Sequence, residues 1–223
     1  SGIVEEAWDI VDETRSTLSD LIQSSPSEIA FVKNTAEGIG IISNGYPFNT
    51  GDEILICDQE HPSNLFPWIR LHELKGVDLK VLPSQKDWDL PEDAFIQNLS
   101  PTTKAVVLSA VQFTTGVFPK LKVIGEECRK RGILFIVDGI QAVGRMNINV
   151  KDMNIDYMAC GSNKGLLGML GAGFVYCRED LIQKIIPPYV SYQSVENFIA
   201  PPALTEDFSR IAWKKDARRF ESG

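Results

Sequence analysis

Two stretches of this 223-residue chain, EILICD at 53–58 and ILFIVD at 133–138, are apolar almost without interruption. A strand with one wet face alternates apolar and polar residues, so an unbroken run calls for burial on both faces. A parallel sheet covered by helices on each side meets that demand. Short apolar runs give strands at Ile29–Val32, Glu53–Cys57, Leu79–Leu82, Ala105–Val111, Ile133–Val137, Tyr157–Cys160 and Gly173–Cys177. Between them, patterns of helical period predict helices at about 36–44, 63–75, 91–99, 120–131 and 179–186. Ahead of the first strand, Trp8, Val11, Leu18, Leu21 and Ile22 mark an amphipathic helix over 3–24 that stops before Ser25-Pro26. The expected fold class is α/β, a three-layer domain built on a mostly parallel sheet.

Composition removes several functions. The 30 acidic residues outnumber the 22 basic ones, for a net charge of -8, and no cluster of Lys and Arg offers a footprint for a phosphate backbone. Nucleic acid is therefore not an expected partner. No apolar run reaches the roughly 18 residues that a membrane span needs, and SGIVEEAWDI lacks the basic start and apolar core of a signal peptide. A cytoplasmic location and no membrane contact are expected. The 4 cysteines, Cys57, Cys128, Cys160 and Cys177, show no CxxC spacing and read as reduced, buried thiols. With only His61 and His72 besides, no metal site is expected.

In open α/β sheets ligands bind beyond the carboxyl ends of the strands, so polar residues that follow an apolar run are the candidates. There are five such places: Asn34-Thr35, Asp58 to His61, Gln112, Asp138 with Gln141, and Ser162 to Lys164. Each alone has a plain explanation as a helix cap, a turn or a solvated side chain. Together they bring a carboxylate, an imidazole, hydroxyls, amides and an amine to one rim.

Lys164 is the residue that stands out, because YMACGSNKGLLGMLGAGFVYC contains apolar residues and glycines but no acid to pair with it. Desolvation disfavours the ammonium, and the neutral amine is a nucleophile toward carbonyls, which makes Schiff-base chemistry natural there. A side chain that merely carries its ammonium out to water is the plain alternative. The glycines do not form a phosphate loop, because GSNKGLLG is not GxxxxGK[ST].

These residues carry a family resemblance. VDGIQAVGRMNINVKDMNIDYMACGSNKGLLGMLGAGFVY resembles the pyridoxal-phosphate signature of class V aminotransferases, whose members include cysteine desulfurases, isopenicillin-N-epimerase-like proteins and kynureninase relatives. DQEHPSNLFPW resembles the EHxxNxxPW stretch of SufS-like cysteine desulfurases, FVKNTAEGI their phosphate-binding segment, and RRFESG is similar to the RFExGT that opens the family's closing segment. The resemblance implies the large domain of fold type I and pyridoxal 5'-phosphate as cofactor. It makes Lys164 the residue bonded to the cofactor as an aldimine, sets Asp138 against the pyridine nitrogen, and gives Gln141 the phenolic oxygen. His61 would stack on the ring and assist proton transfer. The phosphate would rest on Thr35, Ala36 and Glu37 at a helix start, with Ser162 and Asn163 adding donors.

Residues 1–187 are then expected to be the cofactor-binding large domain, lacking the family's N-terminal segment. Residues 188–223 would lead toward a small domain that is largely absent, together with its substrate-carboxylate arginine and any catalytic cysteine. Asn163 replaces the histidine that many relatives carry before the lysine, and GMLG replaces GPxG after it. An enzyme of cysteine desulfurase type acting on an amino acid is the leading expectation. A class V aminotransferase or isopenicillin-N-epimerase-like enzyme is the alternative, and a non-catalytic binding or assembly domain is the alternative of another class. A homodimer is expected, with a sulfur-acceptor protein as a further partner of a desulfurase.

Overall fold

The computed structural model describes residues 2–197 and 211–222. Strands β1 (Ile29–Val32), β2 (Glu53–Cys57), β3 (Asp78–Leu82), β4 (Thr103–Ser109), β5 (Leu134–Asp138), β6 (Tyr157–Gly161) and β7 (Gly173–Cys177) form one sheet in the order β1-β7-β6-β5-β4-β2-β3. From β3 to β6 every pairing is parallel. β7 runs antiparallel to both β6 and β1, so two reversals leave β1 pointing the same way as the parallel set. This is how a sheet that is only mostly parallel still delivers the end of β1 to the common carboxyl rim.

The two apolar faces are read directly from alternate residues. Leu55, Val106, Phe135, Met158 and Tyr176 face one side, with α4 (Glu92–Asn98), α5 (Leu121–Arg131) and the end of α1 (Gly2–Ile22). Ile54, Val107, Ile136, Tyr157 and Val175 face the other, with α2 (Thr35–Gly45), α3 (Pro62–Lys75) and α6 (Glu179–Ile182). Burial of each such side chain contributes about 1.5–3 kcal/mol, and the demand of the unbroken apolar runs is met on both faces. α2 approaches especially closely at Gly38, where a Cβ would stand 2.7 Å from Val175 Cγ1 and 2.8 Å from Ala159 Cβ. The buried Tyr157 hydroxyl donates to the Gly38 carbonyl at 2.7 Å, which pins the start of α2 over β6.

Several element boundaries differ from expectation, and three ends show why. β4 ends at Ser109 rather than Val111, because the chain turns through Gln112 to Val117, whose carbonyl accepts the Gln112 N–H at 2.8 Å. The helix expected over 179–186 ends at Ile182, since the chain leaves it to pair the Ile186 N–H with the Gly45 carbonyl. α1 ends at Ile22, and its first half leaves Trp8 and Ile10 exposed.

At the sheet edge β1 is closed by side chains. Arg15 donates to the Ile29 carbonyl at 2.8 Å, Glu221 accepts the Phe31 N–H at 2.9 Å, and the two side chains pair at 2.7 Å. The Arg15 guanidinium also lies 4.6 Å from the centre of the Phe31 ring. Open strand groups that could template aggregation are thereby satisfied. Ala217 and Phe220 are buried in the core beside them, so the described residues 211–222 pack on this domain.

Candidate active site

The carboxyl ends of β1, β2, β4, β5 and β6 surround a cavity of about 340 Å³ lined by Thr35, Ala36, His61, Asp138, Gln141, Asn163 and Lys164, among others. Its volume falls within the roughly 300–1,000 Å³ of small-molecule sites. Seven of the nine residues expected from the sequence therefore meet at one place.

The anion-binding end is built by the turn from β1 into α2. Asn34 caps the helix by accepting the Glu37 N–H at 2.9 Å, and the Thr35 hydroxyl accepts the Gly161 N–H at 3.1 Å, tying α2 to β6. The N–H groups of Thr35 and Ala36 have no protein acceptor among the described residues, and they are the open amides that a helix start presents to an anion.

Asp138 ends β5 and is buried. Its Oδ1 accepts the Ile140 N–H at 3.0 Å, and Oδ2 has no partner among the described residues. Burial pushes its pKa up to about 7, with the Glu60 carboxylate adding to the rise, while the Ile140 N–H and the Lys164 ammonium oppose it. His61 caps α3 by accepting the Ser63 N–H on Nδ1 at 3.1 Å, which leaves the neutral ring's proton on Nε2. Its ring stands nearly perpendicular to Phe113, with centres 4.7 Å apart. Partial burial, then the Lys164 charge, holds its pKa below the ordinary value, whereas Glu60 acts the other way.

Lys164 follows β6 in a loop fastened by Gly165 N–H to the Ile140 carbonyl at 3.1 Å and Gly168 N–H to the Ser162 carbonyl at 2.8 Å. Its Nζ makes no hydrogen bond or ion pair with the described residues, so the amine is free to react. The backbone passes so close to Val143 that a Cβ on Gly165 would collide with the Val143 carbonyl oxygen. Gly165→Ala is expected to cost about 2–3 kcal/mol by overpacking, read as a lower Tm; an unchanged melt would contradict this fit.

Two expected residues sit elsewhere. Glu37 turns its carboxylate back to the Lys33 N–H at 2.5 Å, and its own N–H is taken by Asn34, so it contributes nothing to the cavity. The Ser162 hydroxyl donates to the Met169 carbonyl at 2.7 Å and supports the lysine loop instead of facing a ligand. Gln112 is drawn beneath the rim to Glu60. Ser109 and Phe113 line the cavity without having been expected. Ser109 read as the interior of a longer β4, and the turn that brings Phe113 onto His61 has no signature in the sequence beyond Gly116.

Pyridoxal phosphate can be tested against these features. Its phosphate would find the open Thr35 and Ala36 amides, its ring nitrogen the unpartnered Oδ2 of buried Asp138, and its aldehyde the unpaired Lys164 amine. The donor set fits all three groups.

A three-layer α/β sheet with lysine, aspartate, histidine and a helix start at one rim defines a cofactor-dependent enzyme architecture of fold type I. The chain belongs to the class-V aminotransferase family, whose model matches residues 1–223. It is 31% identical over 207 residues, 93% of this chain and 52% of the relative, to a protein named probable cysteine desulfurase from Methanothermobacter thermautotrophicus. Among solved structures it resembles an apo cysteine desulfurase from Thermococcus onnurineus with a TM-score of 0.85 and 28% identity, over 95% of this chain and 51% of that one. It also resembles the cystine C–S lyase C-DES in complex with its product cysteine persulfide, with a TM-score of 0.86 and 25% identity, over 98% and 57%. The chain spans about half the length of the curated relatives it matches.

Proposed function

We propose that the full-length protein is a pyridoxal-phosphate enzyme that breaks the C–S bond of cysteine, in the manner of a desulfurase. The observation that carries this reading is the convergence of an unpaired Lys164 amine and the free Oδ2 of buried Asp138 on one cavity. Bound there, pyridoxal phosphate supplies a carbonyl for amines and a ring that withdraws electrons from the substrate α-carbon. The Thr35 and Ala36 N–H groups anchor the phosphate. Asp138 Oδ2 would hold the proton of the ring nitrogen, and Gln141, which lines the same cavity, would serve the ring's phenolic oxygen. Lys164 Nζ takes and returns the proton at the substrate α-carbon, while His61, with its proton on Nε2, flanks the ring and serves the leaving sulfur.

Burial pushes the Cys128 thiol up to about 12, and Cys57 and Cys160 higher still, so these cysteines do not offer a thiolate to sulfur. A sulfur-taking thiol is expected outside residues 1–223 or on an acceptor protein. Full-length protein given pyridoxal phosphate, L-cysteine and an excess of a dithiol reductant, which supplies the two electrons that turn sulfane sulfur into sulfide, should release sulfide and alanine in equal amounts. Pyruvate in place of alanine would favour elimination, as suits a C–S lyase, and neither product would contradict both.

Leu167, Met169 and Leu170 are exposed on the loop that carries Lys164, and Leu170 lines the cavity; this apolar cluster supports a homodimer whose interface adjoins the site. Sedimentation of the full-length protein as a strict monomer would contradict it. The free Cys57, Cys128, Cys160 and Cys177 support the cytoplasmic setting; recovery in a secreted or membrane fraction would overturn it.

A further inference from the structure

Under the rim, between the ends of β2 and β4, lies a carboxylate that the proposed chemistry does not use. Glu60 Oε1 accepts the Ser109 N–H at 2.7 Å, Gln112 Nε2 at 2.7 Å and the Cys57 thiol at 3.3 Å. Its Oε2 accepts Asn64 Nδ2 at 2.7 Å and the Ser109 hydroxyl at 2.5 Å. All five donors belong to buried residues, and no cation pairs with Glu60 among the described residues. Two carbonyl oxygens, Asn64 Oδ1 and Gln112 Oε1, are left buried without a partner as a result.

Those two orphans fit an ionised Glu60. A protonated carboxyl has an O–H to give and would let one amide turn its oxygen inward. Both amides instead present N–H, the arrangement that suits an ionised acceptor. Glu60 is therefore a buried negative charge held by neutral donors. Ser109, which it grips by both N–H and hydroxyl, is the direct register partner of Asp138, and the Ala110 N–H bonds the Asp138 carbonyl at 2.9 Å.

We propose that Glu60 is a positioning residue for the site, a fixed second carboxylate one rung from Asp138 that keeps a proton at the Asp138 free oxygen and so prepares it for the cofactor's ring nitrogen. This rests on the cofactor reading above. The groups facing Asp138 act in opposite senses: Glu60, from the β2–α3 connection, opposes its ionisation. Lys164 from the loop after β6 and the Ile140 N–H favour it. His61 at the start of α3 lines the same cavity, and the neighbouring Cys160 thiol, pushed up by burial, stays neutral. Removing the Glu60 charge leaves the favouring groups less opposed.

The test is a carboxyl-carbon NMR titration of Asp138 in the cofactor-free full-length protein, with the signal assigned by its loss in Asp138→Asn. Glu60→Gln keeps the shape, and its new NH₂ can be accepted by Asn64 Oδ1 or Gln112 Oε1 once that amide turns over, so the variant should fold. The expected result is an Asp138 midpoint at least about one pH unit lower in Glu60→Gln, and within about half a unit of wild type in Ser109→Ala, which keeps the charge but loses a hydrogen bond. An unchanged midpoint in Glu60→Gln, or an equal drop in both variants, would overturn the proposal. So would a Glu60 carboxyl found protonated at pH 7 in the wild-type protein, whatever the variants do. Because no cofactor is present in the titration, its outcome is separate from cofactor loss in Lys164→Ala, which bears on the functional reading.

Discussion

Lys164→Ala is expected to lower turnover of the full-length, cofactor-supplied protein by about 10³-fold or more while barely moving the Tm of the cofactor-free protein. The first effect follows from removing both the nucleophile and the base. Positioned proton transfer alone contributes about 10²–10⁴-fold, and among the described residues the cavity is lined by no second amine. The second follows from the environment, because the Lys164 ammonium has no hydrogen bond or ion pair to lose and substitutions of that kind stay within about 0.5 kcal/mol. The wild-type protein should also show a visible absorption band from bound cofactor that survives dialysis and is missing in the variant. Turnover within about tenfold of wild type would remove Lys164 from the chemistry. Absence of the band from both proteins would favour the non-catalytic binding or assembly module.

Asp138→Asn should separate stability from activity. Burial raises the Asp138 pKa from 3.8 to about 7, so the folded state holds its proton more tightly than the unfolded chain does. Below pH 4 both states are protonated and no penalty exists. As pH rises from about 4 to 7, the unfolded chain ionises first, and wild-type stability falls until the full penalty is present above pH 7. At about 1.4 kcal/mol per pH unit the full penalty is roughly 4 kcal/mol. The asparagine retains an oxygen for the Ile140 N–H but cannot ionise. Cofactor-free Asp138→Asn should therefore melt higher than wild type at pH 8 and the same at pH 3.5. Turnover of the loaded enzyme should fall roughly 10²-fold as the ring nitrogen loses its carboxylate. A variant that melts lower at pH 8 would contradict the burial argument.

Elements with a strong local cause were legible in the sequence. The unbroken apolar runs located β2 and β5, and Asn34, Pro62 and Gly132 sit at the helix ends where caps and breakers belong. Positions that follow each strand led to Thr35, His61, Asp138 and Lys164, because a mostly parallel sheet sends those ends to one rim. What could not be read depends on contacts between distant segments. The Arg15–Glu221 clasp joins residues 206 apart, and Glu60 gathers donors from β4 and the turn beyond it, 49 and 52 residues away. The antiparallel turn of β7 leaves no trace in its apolar sequence, since both faces of either kind of strand are buried here. Ser162 and Glu37 were misplaced for a related reason: each bonds within its own loop or turn, a choice set by backbone geometry.

The most direct measurement is borohydride reduction of the full-length protein loaded with pyridoxal phosphate, followed by peptide mapping. The expected result is one stoichiometric label on the peptide containing Lys164, and none on that peptide's counterpart in Lys164→Ala. Label scattered over surface lysines such as Lys120 and Lys122, or no label at all, would contradict a cofactor held by Lys164.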